Sequence, residues 1–328
     1  MSGCHLRRFA IIGSGLAGLV CVQKLKEQGS EVRLFEKARG PGGRLSSRRL
    51  GDGTSVDIGA QAFECSSPGF TRFLEPFLAA GDLAETHLAP VFAKPSMRAA
   101  LLQTPRYVGS PRMSAFARAL AEGLDTVYEC RIDSMSRVDE TWWLEDTQGG
   151  GYGPFDAVIV TAPPAQAQAL LHNHSFLSQL ATDAVLQPQW VLAMGFDHPQ
   201  KAPAALADDA AGVVAGLWHD SAKPGRVHKL DWWVVQATTG WSARQVETPP
   251  DEVATLLMSA ALDTLQWRDP PITYRVHRWL YARPQKPSHR LCGWDEEQHL
   301  GICGDWLATG DVQGAFQSAS ELIARLRQ

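Results

Sequence analysis

No stretch of this 328-residue chain approaches the roughly 20 consecutive apolar residues that span a bilayer, so no membrane protein of the helical kind is expected. A basic majority is also missing: 31 Lys and Arg stand against 35 Asp and Glu, for a net charge of −4. Nonspecific nucleic-acid affinity comes from neutralising phosphates, so the balance argues against a general nucleic-acid-binding protein and leaves room only for a local basic patch. The six cysteines (Cys4, Cys21, Cys65, Cys130, Cys292, Cys303) form no C-x-x-C pair and no dense framework. Reduced, mostly buried thiols in a reducing compartment are the expectation. At the N-terminus only Phe9-Ala10-Ile11-Ile12 follow Arg7-Arg8 before glycines begin, too short for a secretory apolar region. A cytoplasmic protein is expected. Tryptophan is scarce before residue 190, where only Trp142 and Trp143 occur, although the chain has 11.

What is present is an ordinary globular composition, 45% hydrophobic and 20% charged. A chain of this length buries roughly 75% of its unfolded surface and predicts about two domains. "FAIIGSGLAGLVCVQKLKEQGSEVRLFEK" reads as strand, glycine turn, helix, strand: a buried run Phe9 to Ile12, a helix Leu16 to Gln28 closed by Gly29, and a second buried strand around Val32 to Phe35. Gly51-Asp52-Gly53 predicts a turn between two short strands. Ser67-Pro68 opens a helix that Gly81 ends and Pro76 kinks, and Ser110-Pro111 begins another with Met113, Phe116, Leu120 and Leu124 on one face. From about 188 to 283 the strands are longer and aromatic, enclosing one helix near 251 to 266. A final strand "GICGDW" precedes a helix that buries Ala315, Ala319, Leu322 and Leu326. The pattern is a βαβ domain interrupted by an antiparallel, aromatic-rich one.

Gly13-Ser14-Gly15-Leu16-Ala17-Gly18 is a G-x-G-x-x-G between strand and helix. Such glycines permit the tight turn and let backbone N–H groups approach a pyrophosphate at the helix's positive end. Glu36, with Lys37 after it, ends the second strand 23 residues beyond Gly13, where an acid accepts hydrogen bonds from an adenosine ribose. Dinucleotide binding follows; NAD and FAD both remain open at this point.

The next segment, "RGPGGRLSSRR" (39 to 49), brings Gly42 and Gly43 beside that dinucleotide and offers the planar fork of Arg44 to a phosphate. Here the chain resembles the flavin-containing amine oxidase superfamily, in which an R-x-G-G-R-type segment contacts the FAD pyrophosphate. The resemblance implies noncovalent FAD and extends along the chain. "DIGAQAF" (57 to 63) is similar to the segment beneath the flavin, with Gly59, Ala60 and Gln61 nearest the ring. Ile132, next to Arg131, stands where the family contacts adenine. "VTAPP" places Thr161 and Ala162 beside FAD. "GDWLATGDVQGAF" resembles the C-terminal flavin motif, with Asp305 toward the ribityl chain and Val312, Gln313 and Gly314 opening a helix toward the pyrimidine edge, where a helix N-terminus stabilises reduced flavin.

The strings "GAQAF", "DSAKPGR", "HRWLYARP" and "GICGDW" look most like the bacterial renalase branch. This implies an α/β fold: an FAD-binding Rossmann-like domain of the glutathione-reductase and amine-oxidase type (1–67, 110–165 and 285–328) plus an α+β antiparallel-sheet substrate domain (68–109 and 166–284). It also implies an FAD-dependent oxidase of isomeric 1,2- or 1,6-dihydronicotinamide dinucleotides, giving NAD(P)+ and, from O2, H2O2. An amine oxidase or desaturase on the same fold is the alternative. Oxidising a neutral dihydropyridine needs only hydride departure and no general base. No catalytic residue is assigned. Amine oxidases often bridge a lysine to flavin N5 through water; among the eight lysines here Lys223 reads as turn chemistry in "SAKPGR", and Lys286 precedes Pro287.

Trp279 and Tyr281 lie two apart on a strand and share a face, so they and Gln61 are the candidates for substrate contact. Trp232 and Trp233 point to opposite faces and read as core. Arg275, Arg278 and Arg283 read as a solvated face, and only one of Arg48 and Arg49 can turn inward. Cys303 reads as a core cysteine, unsuited to covalent flavin attachment. His172 and His174 cannot share a helix face, and no metal site is predicted.

Overall fold

A computed structural model describes residues 6–88, 105–201, 212–286, 288 and 290–326. The chain divides into two compact units, each assembled from separate segments: 1–43, 117–185 and 284–328 in the first, 44–116 and 186–283 in the second.

The first unit is built on a six-stranded sheet in the order Cys292–Asp295, Leu300–Cys303, Ala157–Val160, Arg8–Ile12, Glu31–Phe35, Asp125–Val127. All pairs are parallel except the edge pair Cys292–Asp295 with Leu300–Cys303. The four residues of Ala157–Val160 are fully buried, as a parallel strand covered on both faces requires. The helices Leu16–Glu27 and Val312–Arg325 pack together. Because the chain leaves Arg8–Ile12 to one side for Glu31–Phe35 and returns on the other as Ala157–Val160, their carboxyl ends bound the crevice where open α/β sheets bind ligands. A separate three-stranded antiparallel sheet spans Ile132–Val138, Thr141–Asp146 and Gly151–Phe155.

The second unit carries a four-stranded sheet ordered Val214–His219, Asp231–Ala237, Leu186–Phe196, Thr273–Pro284. One face packs Trp190, Met194, Phe196 and Trp233 against the helix Pro250–Leu265 through Val253, Leu257 and Ala261. The other buries Val191, Ala193, Trp232 and Val234 against Leu50, Val56 and Ile58, with Trp279 at its margin. Strand alternation thus sends Trp232 and Trp233 to opposite faces, and both are buried. That second cluster is why residues 44–67 belong to this unit, although the sequence reading sets them in the cofactor domain. Conversely, Leu177 and Leu180 of the helix Ser175–Thr182 reach over Gly293, which ties 166–185 to the first unit.

Local signals are obeyed closely. Ser67 caps the helix Pro68–Ala80 by accepting from Phe70 N at 3.3 Å, Gly81 ends it in the left-handed conformation, and the helix continues through Pro76. The turn at 51–53 joins Ser47–Arg49 to Ser55–Asp57. The predicted start at Ser110-Pro111 moves to Met113, giving the helix Met113–Ala121, so Leu124 falls outside it. Five cysteines are free; Cys4 lies outside the described residues. Cys303 is buried, with its sulfur 3.6 Å from that of Cys21. No described helix is long and apolar enough to cross a membrane.

Candidate functional site

Within the first unit Glu36, Gly43 and Thr161 gather on the glycine turn after Arg8–Ile12. Gly13 N donates to Phe35 O at 2.8 Å, and Gly13 takes a φ of +109°, open to glycine and costly to other residues. A Cβ on Gly18 would sit 2.0 Å from Gly13 O, so the helix can approach the turn only with glycine there. A Cβ on Gly15 would meet nothing within 4 Å. Gly15 also precedes a helix N-terminus, opened by Leu16 and Ala17, that no side chain caps. An open cradle of backbone N–H groups at a positive helix end fits a pyrophosphate. The glycine pair that follows lies beside it: Gly42 N donates to Ser14 O at 2.8 Å, and a Cβ on Gly43 would come within 3.7 Å of Gly15 Cα.

Glu36 is buried at the end of the second strand, where one carboxylate oxygen accepts from Ser14 N at 2.9 Å and Ser14 Oγ at 2.7 Å. The other accepts from Ala38 N at 2.8 Å. Lys37 turns outward to Gln166 Oε1 at 3.0 Å. Ile132 begins its strand buried, two residues after Cys130, whose N–H donates to Glu36 O at 3.0 Å. Thr161 stands against the turn, its hydroxyl within 2.9 Å of Gly13 O, and Ala162 O accepts from Trp306 Nε1 at 3.3 Å. Asp305 is buried at the start of the short 3-10 helix Asp305–Leu307 that follows the strand Leu300–Cys303. Val312 and Gln313 open the last helix, as predicted, behind an Asp311 cap that accepts from Gly314 N at 2.6 Å and from the Thr309 hydroxyl at 2.7 Å.

The remaining candidates lie in the second unit. Arg44 Nη1 donates to Ala282 O at 2.9 Å, and Arg44 O accepts from Ala60 N at 2.8 Å. A Cβ on Gly59 would meet Arg44 O at 2.0 Å, so "GAQ" and the arginine segment touch backbone to backbone only because residue 59 is glycine. Gln61 is 2% exposed, its amide donating to Asp57 O at 2.7 Å and Gly59 O at 3.2 Å. Trp279 gives its indole N–H to Ile58 O at 2.8 Å and stands edge-on to His277, 4.4 Å between ring centres. Tyr281 follows on the same face, half-buried. Burial holds His277 below the usual histidine range, and Arg48 pushes the same way.

Lys223 corrects the sequence reading. It lies in the turn between the paired strands Val214–His219 and Asp231–Ala237, but its side chain is 1% exposed, with Nζ donating to Asp220 at 2.7 Å, Gln61 Oε1 at 2.9 Å and Asp57 at 3.0 Å. Arg226 adds a second cation on Asp57 at 2.5 Å and also donates to Gly109 O at 2.8 Å. The other Asp57 oxygen accepts from Ser47 Oγ at 2.7 Å and Met113 N at 3.0 Å. Burial alone would push the Asp57 carboxyl up; Lys223, Arg226, Ser47 and Met113 outweigh it and bring it to about 2. Sequence reasoning missed Asp220, Arg226 and the role of Asp57. Their only local signal is the charge spacing Asp220, Lys223, Arg226 within "DSAKPGR". Arg278 also departs from a solvated role: it donates to Val246 O and lies over the Trp190 ring. Arg48 and Arg49 are both exposed, so neither turns inward. No group of His, Cys, Asp and Glu able to hold a metal occurs among the described residues.

Two family models match the chain: an NAD(P)-binding Rossmann-like domain over residues 11–77, and a flavin containing amine oxidoreductase over residues 71–321. Curated relatives match over short stretches. A zeta-carotene-forming phytoene desaturase of Myxococcus xanthus is 34% identical over 92 residues, which is 28% of this chain and 17% of that protein. A flavin-dependent L-tryptophan oxidase of Lentzea aerocolonigenes is 41% identical over 56 residues, 17% of this chain and 12% of that one. These matched stretches thus span under a fifth of either relative. Among solved structures, a protein assigned provisionally as a protoporphyrinogen oxidase from Exiguobacterium sp. 255-15 superposes with a TM-score of 0.77 at 12% identity, covering 100% of both chains. A redesigned putrescine oxidase superposes at 0.69, also at 12% identity, covering 98% of each. At such identities the likeness is one of fold.

Proposed function

The chain belongs to the flavin containing amine oxidoreductase family, and from that premise we propose that it is a renalase-like FAD-dependent oxidase of isomeric dihydronicotinamide dinucleotides. The open cradle at Gly15, the paired glycines beside it and the pinned Glu36 fit the pyrophosphate and ribose of FAD. Bound there, FAD supplies a two-electron acceptor for hydride and a route for the electrons to O2. The substrate would be a 1,2- or 1,6-dihydro isomer of NAD(P)H. Its ring becomes aromatic when hydride leaves, so the protein's task is to orient two planar rings and exclude side reactions.

The observation that carries this reading is the state of Lys223. An ammonium has three donors and no acceptor, and all three donors are spent inside the second unit on Asp57, Gln61 and Asp220. The buried lysine that is hydrogen-bonded to the "GAQ" segment therefore directs all its hydrogen bonds to residues of its own unit. Chemistry that needs no base accords with that arrangement. Trp279 and Tyr281, on one face of their strand, are the proposed stacking partners for a nicotinamide.

A second reading, amine oxidation or desaturation, is favoured by the names of the relatives, which include an L-tryptophan oxidase and a phytoene desaturase. Anaerobic mixing with borohydride-reduced NAD+, which contains the dihydropyridine isomers, separates the two. Rapid bleaching of the oxidised flavin band by that mixture, and none by ordinary NADH, a primary amine or a carotene, is the expected result. Bleaching by the amine or the carotene instead would transfer the assignment to the second reading.

A further inference from the structure

Residues 57–61 form a strip whose backbone is held in an unusual way. The strand Ser55–Asp57 ends at its start, and beyond it three successive carbonyls accept from side chains. Asp57 O takes Gln61 Nε2 at 2.7 Å; Ile58 O takes Trp279 Nε1 at 2.8 Å; Gly59 O takes Gln61 Nε2 at 3.2 Å and Gln236 Nε2 at 3.3 Å. On the amide side, Ala60 N is fixed to Arg44 O at 2.8 Å. Gln61 thus serves two of the three carbonyls, and its own orientation is set by its oxygen, which accepts from Lys223 Nζ at 2.9 Å. An amide that donates twice from nitrogen must present its oxygen to a donor, and Lys223 is that donor.

Lys223 is in turn fixed from both sides. Asp220 holds it from three residues earlier in the same hairpin at 2.7 Å, and Asp57, the first residue of the strip, from across the unit at 3.0 Å. Two carboxylates face one lysine and one arginine, so the formal charges cancel within the cluster. His228 adds a fifth group: its buried ring approaches the second Asp220 oxygen at 3.5 Å, and neither ring nitrogen has a hydrogen-bond partner among the described residues. Burial in a low-dielectric interior makes each of these contacts strong and makes an unmatched one costly.

We infer that Lys223 is the positioning residue of this strip: its three donated protons join Gln61, Asp57 and Asp220, and through Gln61 they set the backbone of residues 57–61. The inference rests on the reading of "GAQ" as the segment beneath the isoalloxazine. It gives Lys223 a part different from that of a lysine bridged to flavin N5, and it gives Gln61 a part different from direct substrate contact. Neither residue is a catalytic residue; both act through the strip.

The test uses the full-length, FAD-loaded protein and the variants Lys223→Met and Gln61→Leu. Two readouts need no substrate: the position and fine structure of the bound flavin's visible band, and the rate at which FAD dissociates. Both variants are expected to shift the band and release FAD faster. The limiting rate of bleaching by borohydride-reduced NAD+ is expected to fall about 10- to 100-fold in each, the scale of a small misplacement, with little change in the half-saturating concentration. The pH profile of that rate should keep its shape in both. Loss of one limb of the profile in Lys223→Met, with band and dissociation unaltered, would make Lys223 a proton-transfer residue and overturn the inference. So would a Gln61→Leu protein indistinguishable from the parent in band and dissociation. Gln61→Leu leaves both ion pairs of Lys223 in place, so it tests the strip even if Lys223→Met does not fold. Failure of the dihydronicotinamide assignment would show as absent bleaching in the parent protein, while band and dissociation would still report on the strip.

Discussion

The glycine cradle of the first unit and the charged strip of the second are opposite ways of fixing a short stretch of backbone. The cradle is made of backbone: Gly13, Gly15 and Gly18 lie within six residues, and what matters is the side chain each lacks. The strip is made of side chains that come from far apart, with 166 positions separating Lys223 from Asp57. The cradle is pinned by a single charge, Glu36 on Ser14, and leaves its helix N-terminus open for an anion. The strip is backed by four buried charged groups, Asp57, Asp220, Lys223 and Arg226, paired with each other. A backbone site presents its polar groups outward to a ligand, whereas a side-chain network spends them inward and offers rigidity instead.

The sharpest way to break this comparison is Asp57→Asn, which should damage the strip more than any single change damages the cradle. Removing one partner of a buried ion pair costs about 3–5 kcal/mol, and here two cations lose their common anion, so urea denaturation at neutral pH should show a loss of that order. The pH dependence follows. The folded-state carboxyl lies at about 2, below its unfolded value, so its contribution is complete above the unfolded value and disappears as pH falls through about 2. The parent should therefore lose stability between about pH 4 and pH 2 in a step that Asp57→Asn lacks.

Gly18→Ala comes next. Its Cβ would fall 2.0 Å from Gly13 O, a backbone atom that cannot rotate away. Overpacking of this kind costs about 1–3 kcal/mol, and the flavin-to-protein absorbance ratio after purification should fall with it. Glu36→Gln sharpens the comparison from the other direction, because the cradle's one charge should count for less than the strip's. Weaker acceptance from the Ser14 N–H and hydroxyl should raise the FAD dissociation constant about 10-fold, equivalent to about 1.4 kcal/mol, as titration of apoprotein would show. The smallest effect belongs to Asp311→Ala, which removes the cap on the last helix and should cost about 1 kcal/mol, read as a fall of a few degrees in Tm.

The cradle was legible because every signal for it is local. The alternation of a buried strand, a G-x-G-x-x-G and an apolar helix predicts the first βαβ unit, and the structure places its strands and helix where that pattern sets them. Val312, Gln313 and Gly314, at the start of the last helix, were likewise within one turn of each other. Lys223 was misread because "SAKPGR" carries Pro and Gly, the marks of an exposed turn, and nothing near it in the chain reveals an aspartate waiting in another strand. Arg278 was misread for the same reason, since its partners Val246 and Trp190 come from other elements. The domain boundaries shifted where an amphipathic segment had a choice of core: residues 50, 56 and 58 are plainly apolar, but only packing shows that Val191 and Trp232 cover them.

By itself the sequence determined the Rossmann-like βαβ start, the helix caps, the opposed faces of Trp232 and Trp233 and the open cradle at Gly15, because φ preferences, side-chain periodicity and N-capping act over a few residues. Only the tertiary structure decided which charges are buried together and which carbonyls Trp279, Gln236 and Gln61 hold. Pairing energies depend on distance and desolvation in space, and neither is encoded in separation along the chain.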